Sequence, residues 1–230
     1  MADTGKASSA SNLTLRILSA LVLAPIALGA AYFGGWAFAL FWGAAALAVL
    51  WEWVKLVRGP LWLAAGFIYA GLLFAVPVIL RSDASFGLAA ILLLFAIVWA
   101  TDILGYFAGR AFGGPKLWPA VSPKKTWSGA VAGTLGSTVI AVAIASFFGW
   151  FHAGTFIVVA LLLSAVAQLG DLMESWIKRK FGAKDASQLI PGHGGVMDRL
   201  DGFWAAALLG CLIGLARGGF DAPARGLLIW

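Results

Sequence analysis

Apolar runs of 18 or more residues recur along this chain, separated by short polar stretches. Each run is long enough to cross about 30 Å of hydrocarbon as a helix. Helix is the expected form, because backbone amides in lipid must be satisfied within their own segment. The pattern predicts seven spans, at 14–33, 36–57, 61–80, 86–109, 127–150, 153–177 and 202–216. The fold class is therefore all-α, a polytopic helical membrane bundle. Residues 13–83 form its N-terminal transmembrane helices. Residues 84–230 form a second transmembrane region carrying two polar loops, 110–126 and 178–201.

Composition supports this. Of the 230 residues, 62% are hydrophobic and 11% charged, whereas soluble domains carry about a quarter charged residues. The charge pattern sets orientation. With the N-terminus inside, Lys6, Arg16, Lys55, Arg58, Arg110, Lys116, Lys124, Lys125, Lys178, Arg179, Lys180, Lys184 and Arg199 face the cytoplasm. Only Arg81, Arg217 and Arg225 of the 16 Lys and Arg fall outside. The positive-inside rule selects that orientation. Residues 1–12, rich in Ser, Ala and Gly, read as a disordered cytoplasmic tail. The first span is too long for a cleaved signal and reads as an uncleaved anchor. Arg217 ends a short last span and is expected to snorkel to the interface.

Polar residues inside or beside the spans carry the candidate chemistry. Carboxylates in spans are functional candidates by default. Asp102 lies well inside the fourth run. Asp171 and Glu174 interrupt the sixth, one turn apart, and Ser175 and Lys178 continue the same face. Asp198 and Asp201 stand three apart at the mouth of the seventh span. Such a set, with one cysteine and two histidines in the chain, suits a hard, oxygen-liganded ion such as Mg²⁺.

Structural roles compete with each of these. Asp198 beside Arg199, and Lys184 beside Asp185, also read as loop charges or helix-end pairs. Asp171 also reads as a buried partner of Lys178, and Asp102 as an ion-pair or proton-relay group. Glu52, between Trp51 and Trp53 and near Lys55, reads as an interface anchor. His193 lies between glycines in a loop, and His152 in an outward loop carries no evident role. Gly105, Gly109, Gly129, Gly133 and Gly136 recur at three or four residues, a spacing that lets helices approach closely. A homodimer through such small-residue faces is a further expectation. The cationic excess matches anionic lipid and anionic substrates rather than nucleic acid.

Residues 175–202 form the densest polar island, with five cations, three carboxylates and one histidine. They read Ser175-x-x-Lys178-Arg179, Lys184-Asp185, Pro191-x-His193-Gly194-Gly195 and Asp198-Arg199-x-Asp201. Upstream lie Asp102, Tyr106 and Gly109-Arg110, then Ser122-Pro123-Lys124-Lys125-Thr126, then Gly170-Asp171. This order resembles the phosphatidate cytidylyltransferases, also called CDP-diacylglycerol synthases, over about residues 99–204. Ser128 and Gly105 depart from the common pattern.

The resemblance implies transfer of CMP from CTP to phosphatidic acid, giving CDP-diacylglycerol and pyrophosphate, in a bacterial inner membrane. It implies Mg²⁺ held by Asp171, Asp198 and Asp201, with Lys178 beside them as a catalytic group. Substrate-binding positions would be Ser122, Lys124, Lys125, Thr126, Ser175, Arg179, Lys184, Asp185, His193 and Arg199, with Asp102 and Tyr106 as additions. Two other readings stay open at this point. One is a CTP-dependent polyprenol or dolichol kinase, and the other an ion-coupled transporter using Asp102 and Asp171.

Overall fold

The computed structural model describes residues 4–150 and 153–230. Its elements run α1 (Thr4–Phe33), α2 (Gly35–Leu56), α3 (Pro60–Ser82), α4 (Gly87–Phe112), β1 (Lys116–Trp118), β2 (Ser122–Thr126), α5 (Trp127–Phe147), α6 (Ala153–Lys180), α7 (Met197–Gly218) and α8 (Pro223–Leu228). Among the described residues, six helices, α2 to α7, are long and apolar enough to cross a membrane. The apolar part of α1, Ile17–Phe33, is shorter. The chain is thus an all-α polytopic membrane protein with one small hairpin added. Its outer face is apolar, as lipid requires: Trp36, Leu40, Leu61, Phe107 and Phe147 all stand exposed.

Local chemistry explains where the helices start and stop. Gly34, at φ 64°, separates α1 from α2, and Pro60 takes the first position of α3 after Gly59. Asp83 Oδ1 accepts from Ser85 N and Phe86 N ahead of α4, while Oδ2 accepts from Arg225 N of α8. Thr126 caps α5 by accepting from Gly129 N.

Several ends differ from the hydropathy reading. The sixth span continues to Lys180 and the seventh starts at Met197, so Lys178, Arg179, Asp198, Arg199 and Asp201 lie on helices. The connecting loop is 181–196 rather than 178–201. An apolar window stops at the first charge, but a helix whose polar face lines a cavity continues through it. The loop 110–126 likewise begins late, at 113, and folds into the β1–β2 hairpin. Helix α1 starts at Thr4 and takes in most of the segment expected to be a disordered tail; no Pro interrupts it before Pro25. Residues 1–3 and His152 lie outside the described residues.

Arg217 is exposed in the last turn of α7. It donates to Ile229 O at 2.9 Å and lies over the Trp230 ring, which pins the segment of α8 against α7. That helix is six residues long, too short to leave a periodic signal.

Helix α7 sits at the centre. Phe203 stacks on Trp42 of α2 at 5.0 Å and lies against Phe95 of α4, while Trp204 stacks on Tyr69 of α3 at 4.4 Å. The N-terminal helices therefore wall the element that carries Asp198 and Asp201. On the other side, α4 and α5 meet along their glycines. A Cβ on Gly129 would come within 2.6 Å of Gly105 O, and one on Gly133 within 2.6 Å of Thr101 O. These faces are spent on each other within one chain, so a homodimer would have to use another surface.

Because backbone meets backbone there, Gly133→Val should force α4 and α5 apart at a cost of about 1–3 kcal/mol. Thermal melting of the detergent-solubilised protein, followed by size-exclusion chromatography, measures it. An unchanged midpoint would show that the two helices separate freely.

Candidate active site

One end of the bundle collects the C-terminal turns of α2, α4 and α6, the N-terminal turns of α5 and α7, the hairpin and the loop 181–196. On α6, the offsets of three, four and seven put Asp171, Glu174, Ser175 and Lys178 on one face, and contacts confirm it. Ser175 Oγ donates to Asp171 Oδ1 at 3.2 Å, and Lys178 Nζ lies 2.8 Å from Glu174 Oε1. Lys178 also pairs closely with Asp198 Oδ1 from the first turn of α7. Glu174 is buried, and Lys178 nearly so. The expected pairing of Lys178 with Asp171 is thus replaced: Asp171 Oδ2 pairs instead with Lys125 of the hairpin.

Asp198 does a second job. Its Oδ2 accepts from Ala186 N at 3.0 Å and Gly195 N at 2.8 Å, closing the loop 181–196 onto α7. Gly194 must be glycine here: its φ is +89°, and a Cβ would meet Asp198 Oδ2 at 3.0 Å. Asp201 Oδ1 accepts from Gly202 N at 2.7 Å.

Two adjoining cavities share Asp102. The smaller, about 350 Å³, is lined by Asp102, Asp171, Lys178, Asp185, Asp198, Arg199 and Asp201. It unites the three carboxylates singled out from the sequence with two cations. The larger, about 480 Å³, opens between α4, α5 and the hairpin, where Asp102, Tyr106, Arg110, Lys124, Lys125 and Thr126 line it. Arg110 donates to Tyr106 Oη at 3.1 Å, so successive turns of α4 face the same space.

Other sequence-derived candidates lie outside both cavities. Ser122 sits at the start of β2 beyond them. Arg179 donates to Ala183 O and to Val121 O, tying α6 to the loop and the hairpin. His193 Nδ1 lies 2.6 Å from Ser19 Oγ of α1, in a turn closed by Ile190 and Gly194. Lys184 is exposed, and Ser175 reaches the site only through Asp171. Thr126, by contrast, lines the larger cavity and is at the same time engaged in capping α5, next to Ser128 Oγ at 3.0 Å.

The reading of Glu52 as an interface anchor is overturned. It is fully buried and accepts three hydrogen bonds from the loop and the start of α7. Gln168, which the sequence reading passed over, lines the larger cavity and donates to Thr134 Oγ1 at 2.7 Å. Its only local signal was an amide inside an apolar run. Among the described residues, no three His, Cys, Asp or Glu side chains gather closely enough to hold a metal ion. Lys125 and Lys178 hold Asp171 and Asp198 instead.

Residues 60–214 match the model of the cytidylyltransferase family. A phosphatidate cytidylyltransferase of Brucella suis biovar 1 (strain 1330) is 41% identical, over 93% of this chain and 97% of that protein. One of Rickettsia typhi is 34% identical, over 83% and 86%. One of Haemophilus influenzae is 46% identical over a shorter stretch, 54% of this chain and 45% of that protein. The matched region holds both cavities and every carboxylate lining them. The chain is an enzyme and belongs to the phosphatidate cytidylyltransferase family.

Proposed function

We propose that the enzyme transfers CMP from CTP to phosphatidic acid, giving CDP-diacylglycerol and pyrophosphate for phospholipid biosynthesis. The observation that carries this reading is the pair of adjoining cavities, one lined by carboxylates with Lys178 and Arg199, the other cationic and bordered by lipid-facing α4 and α5. The triphosphate occupies the smaller space. The phosphatidate head enters the larger one, between Arg110, Lys124 and Lys125, while its tails stay beside the exposed Ile103, Phe107 and Val131. Ammonium and guanidinium groups provide the charge and donors that phosphate needs.

No proton abstraction is required. A phosphate monoester is largely dianionic near neutral pH, its second pKa being about 6. A phosphatidate oxygen attacks the α-phosphorus in line, and the bond from that phosphorus to the bridging oxygen of the β-phosphoryl breaks. Pyrophosphate leaves with the electron pair. The barrier is repulsion between polyanions, which the site's cations lower. Lys125 is central, because its partner Asp171 is partly exposed. A pair of that kind contributes about 0.2–1 kcal/mol, little enough to exchange for a phosphate.

The carboxylates are hard oxygen donors with no thiol or imidazole among them in the smaller cavity, a chemistry that fits Mg²⁺. Asp171, Asp198 and Asp201 are the residues that would hold it, after side-chain rotation away from Lys125 and Lys178, since they do not stand as a ligand cluster here. When bound, it would neutralise charge on the triphosphate and the departing pyrophosphate. Lys55, Arg58, Arg110 and the hairpin lysines share the site's end of the bundle, which supports a cytoplasmic active site and N-terminus in a bacterial inner membrane.

Three outcomes are expected. With purified enzyme, CTP, phosphatidate and Mg²⁺, label at the α-phosphorus should enter the lipid and γ-label should leave as pyrophosphate; γ-label in lipid would establish a kinase instead. Asp171→Asn should lower turnover at least about 100-fold, near 2.7 kcal/mol in barrier, with melting almost unchanged. Turnover close to normal at saturating Mg²⁺ would reduce Asp171 to a partner for Lys125. Lys125→Ala should slow turnover even in neutral detergent micelles. A defect seen only with anionic bilayers would make the hairpin a surface anchor.

A further inference from the structure

Glu52 lies on α2, outside both cavities, and is fully buried. Among the described residues no Lys or Arg pairs with it. Its charge is held by three donors: Ser187 Oγ at 2.6 Å and Val196 N at 2.8 Å on Oε1, and Met197 N at 2.7 Å on Oε2. Val196 caps α7 and Met197 is its first residue. Amides at a helix start have no partner within the helix, and negative charge is favoured there. A different helix supplies that partner here. The neighbouring residue is shaped to admit it, since a Cβ on Gly195 would meet Oε1 at 2.7 Å and Oε2 at 2.9 Å. Asp198 then takes Gly195 N, the next amide back along the chain. Two carboxylates thus consume three successive amides of one turn, and Asp198 and Asp201 follow directly.

We infer that Glu52 is a positioning residue for the transfer reaction: it sets where α7 begins, and through that the place of Asp198 and Asp201 in the smaller cavity. This rests on the reading of that cavity as the reaction site. It assigns an N-terminal helix, remote in sequence from the polar island, a direct part in setting the site's geometry. The side chain touches no reacting atom; it acts through the backbone of residues 195–197.

Glu52→Gln keeps shape but turns an amide group toward at least one of the donors. Displacement of catalytic groups by a fraction of an ångström to 1 Å costs up to about 100-fold. The expected result is a fall in kcat of about 30-fold per folded enzyme, with KM for CTP within about threefold of wild type. Ser187→Ala removes the loop's bond and leaves both α7 amides held, so its kcat should stay within about threefold. Should Glu52→Gln fail to fold, Gly195→Ala, which keeps the carboxylate but crowds it, carries the same test with the same expected split. Folded fraction is read by size-exclusion chromatography, and kinetics are run well below each melting point. A wild-type kcat per folded molecule in the variant that folds overturns the inference and leaves Glu52 a stability element. So does a kcat loss in Ser187→Ala as large as that in Glu52→Gln. Absence of CMP transfer by the wild-type enzyme in the same assay would instead overturn the functional reading.

Discussion

Lys178 holds two carboxylates from two helices, Glu174 of α6 and Asp198 of α7, where water scarcely reaches. Isolated charges in such a place would cost several kcal/mol each. Removing one partner of a buried pair costs about 3–5 kcal/mol, because the other is left uncompensated. The registration of α6 against α7 follows, since only one sliding position satisfies all three groups. The second oxygen of Asp198 then gathers the loop 181–196, which brings Gly195 and the start of α7 under Glu52. Register, loop closure and the smaller cavity thus hang from one ammonium group.

That cluster contrasts with the pair of Lys125 and Asp171. Both of its side chains are between a quarter and a third exposed, so water and ions screen it. An interaction worth about 0.2–1 kcal/mol yields to an arriving phosphate, while one whose disruption costs several times more does not. The site accordingly combines an unyielding part, at α6 and α7, with an exchangeable one at the hairpin. This division supports a reading in which substrates reorganise the hairpin lysines and leave the helix ends in place.

Much of this was legible because it is local. The offsets of Asp171, Glu174, Ser175 and Lys178 define one helix face whatever surrounds it, and the glycine spacing on α4 and α5 anticipated close packing. The order of the polar island grouped Lys178, Asp185, Asp198, Arg199 and Asp201, and these line one cavity in the folded chain. What escaped was pairing across distance. Nothing around Glu52 announces a partner 144 residues away, and its flanking tryptophans suggested an interface instead. Span ends escaped for another reason: hydropathy registers a charge as leaving lipid, whereas Lys178 and Asp198 are charges turned inward. The hairpin and α8 are too short to carry a period.

The absent side chains matter as much as those present. With no Cβ at Gly105, Gly109, Gly129 and Gly133, α4 and α5 pack backbone to backbone. The chain between two helices so close must turn sharply, and it does so as the β1–β2 hairpin, which returns into α5 through the Thr126 cap. That return puts Lys124 and Lys125 on the wall of the cavity that Tyr106 and Arg110 also line. The glycine seam therefore positions the cations at one wall of the larger cavity, and Asp102 on the same stretch of α4 becomes the wall shared with the smaller. A seam that reads from sequence as packing alone is, in the folded chain, what brings the basic hairpin to the acidic helices.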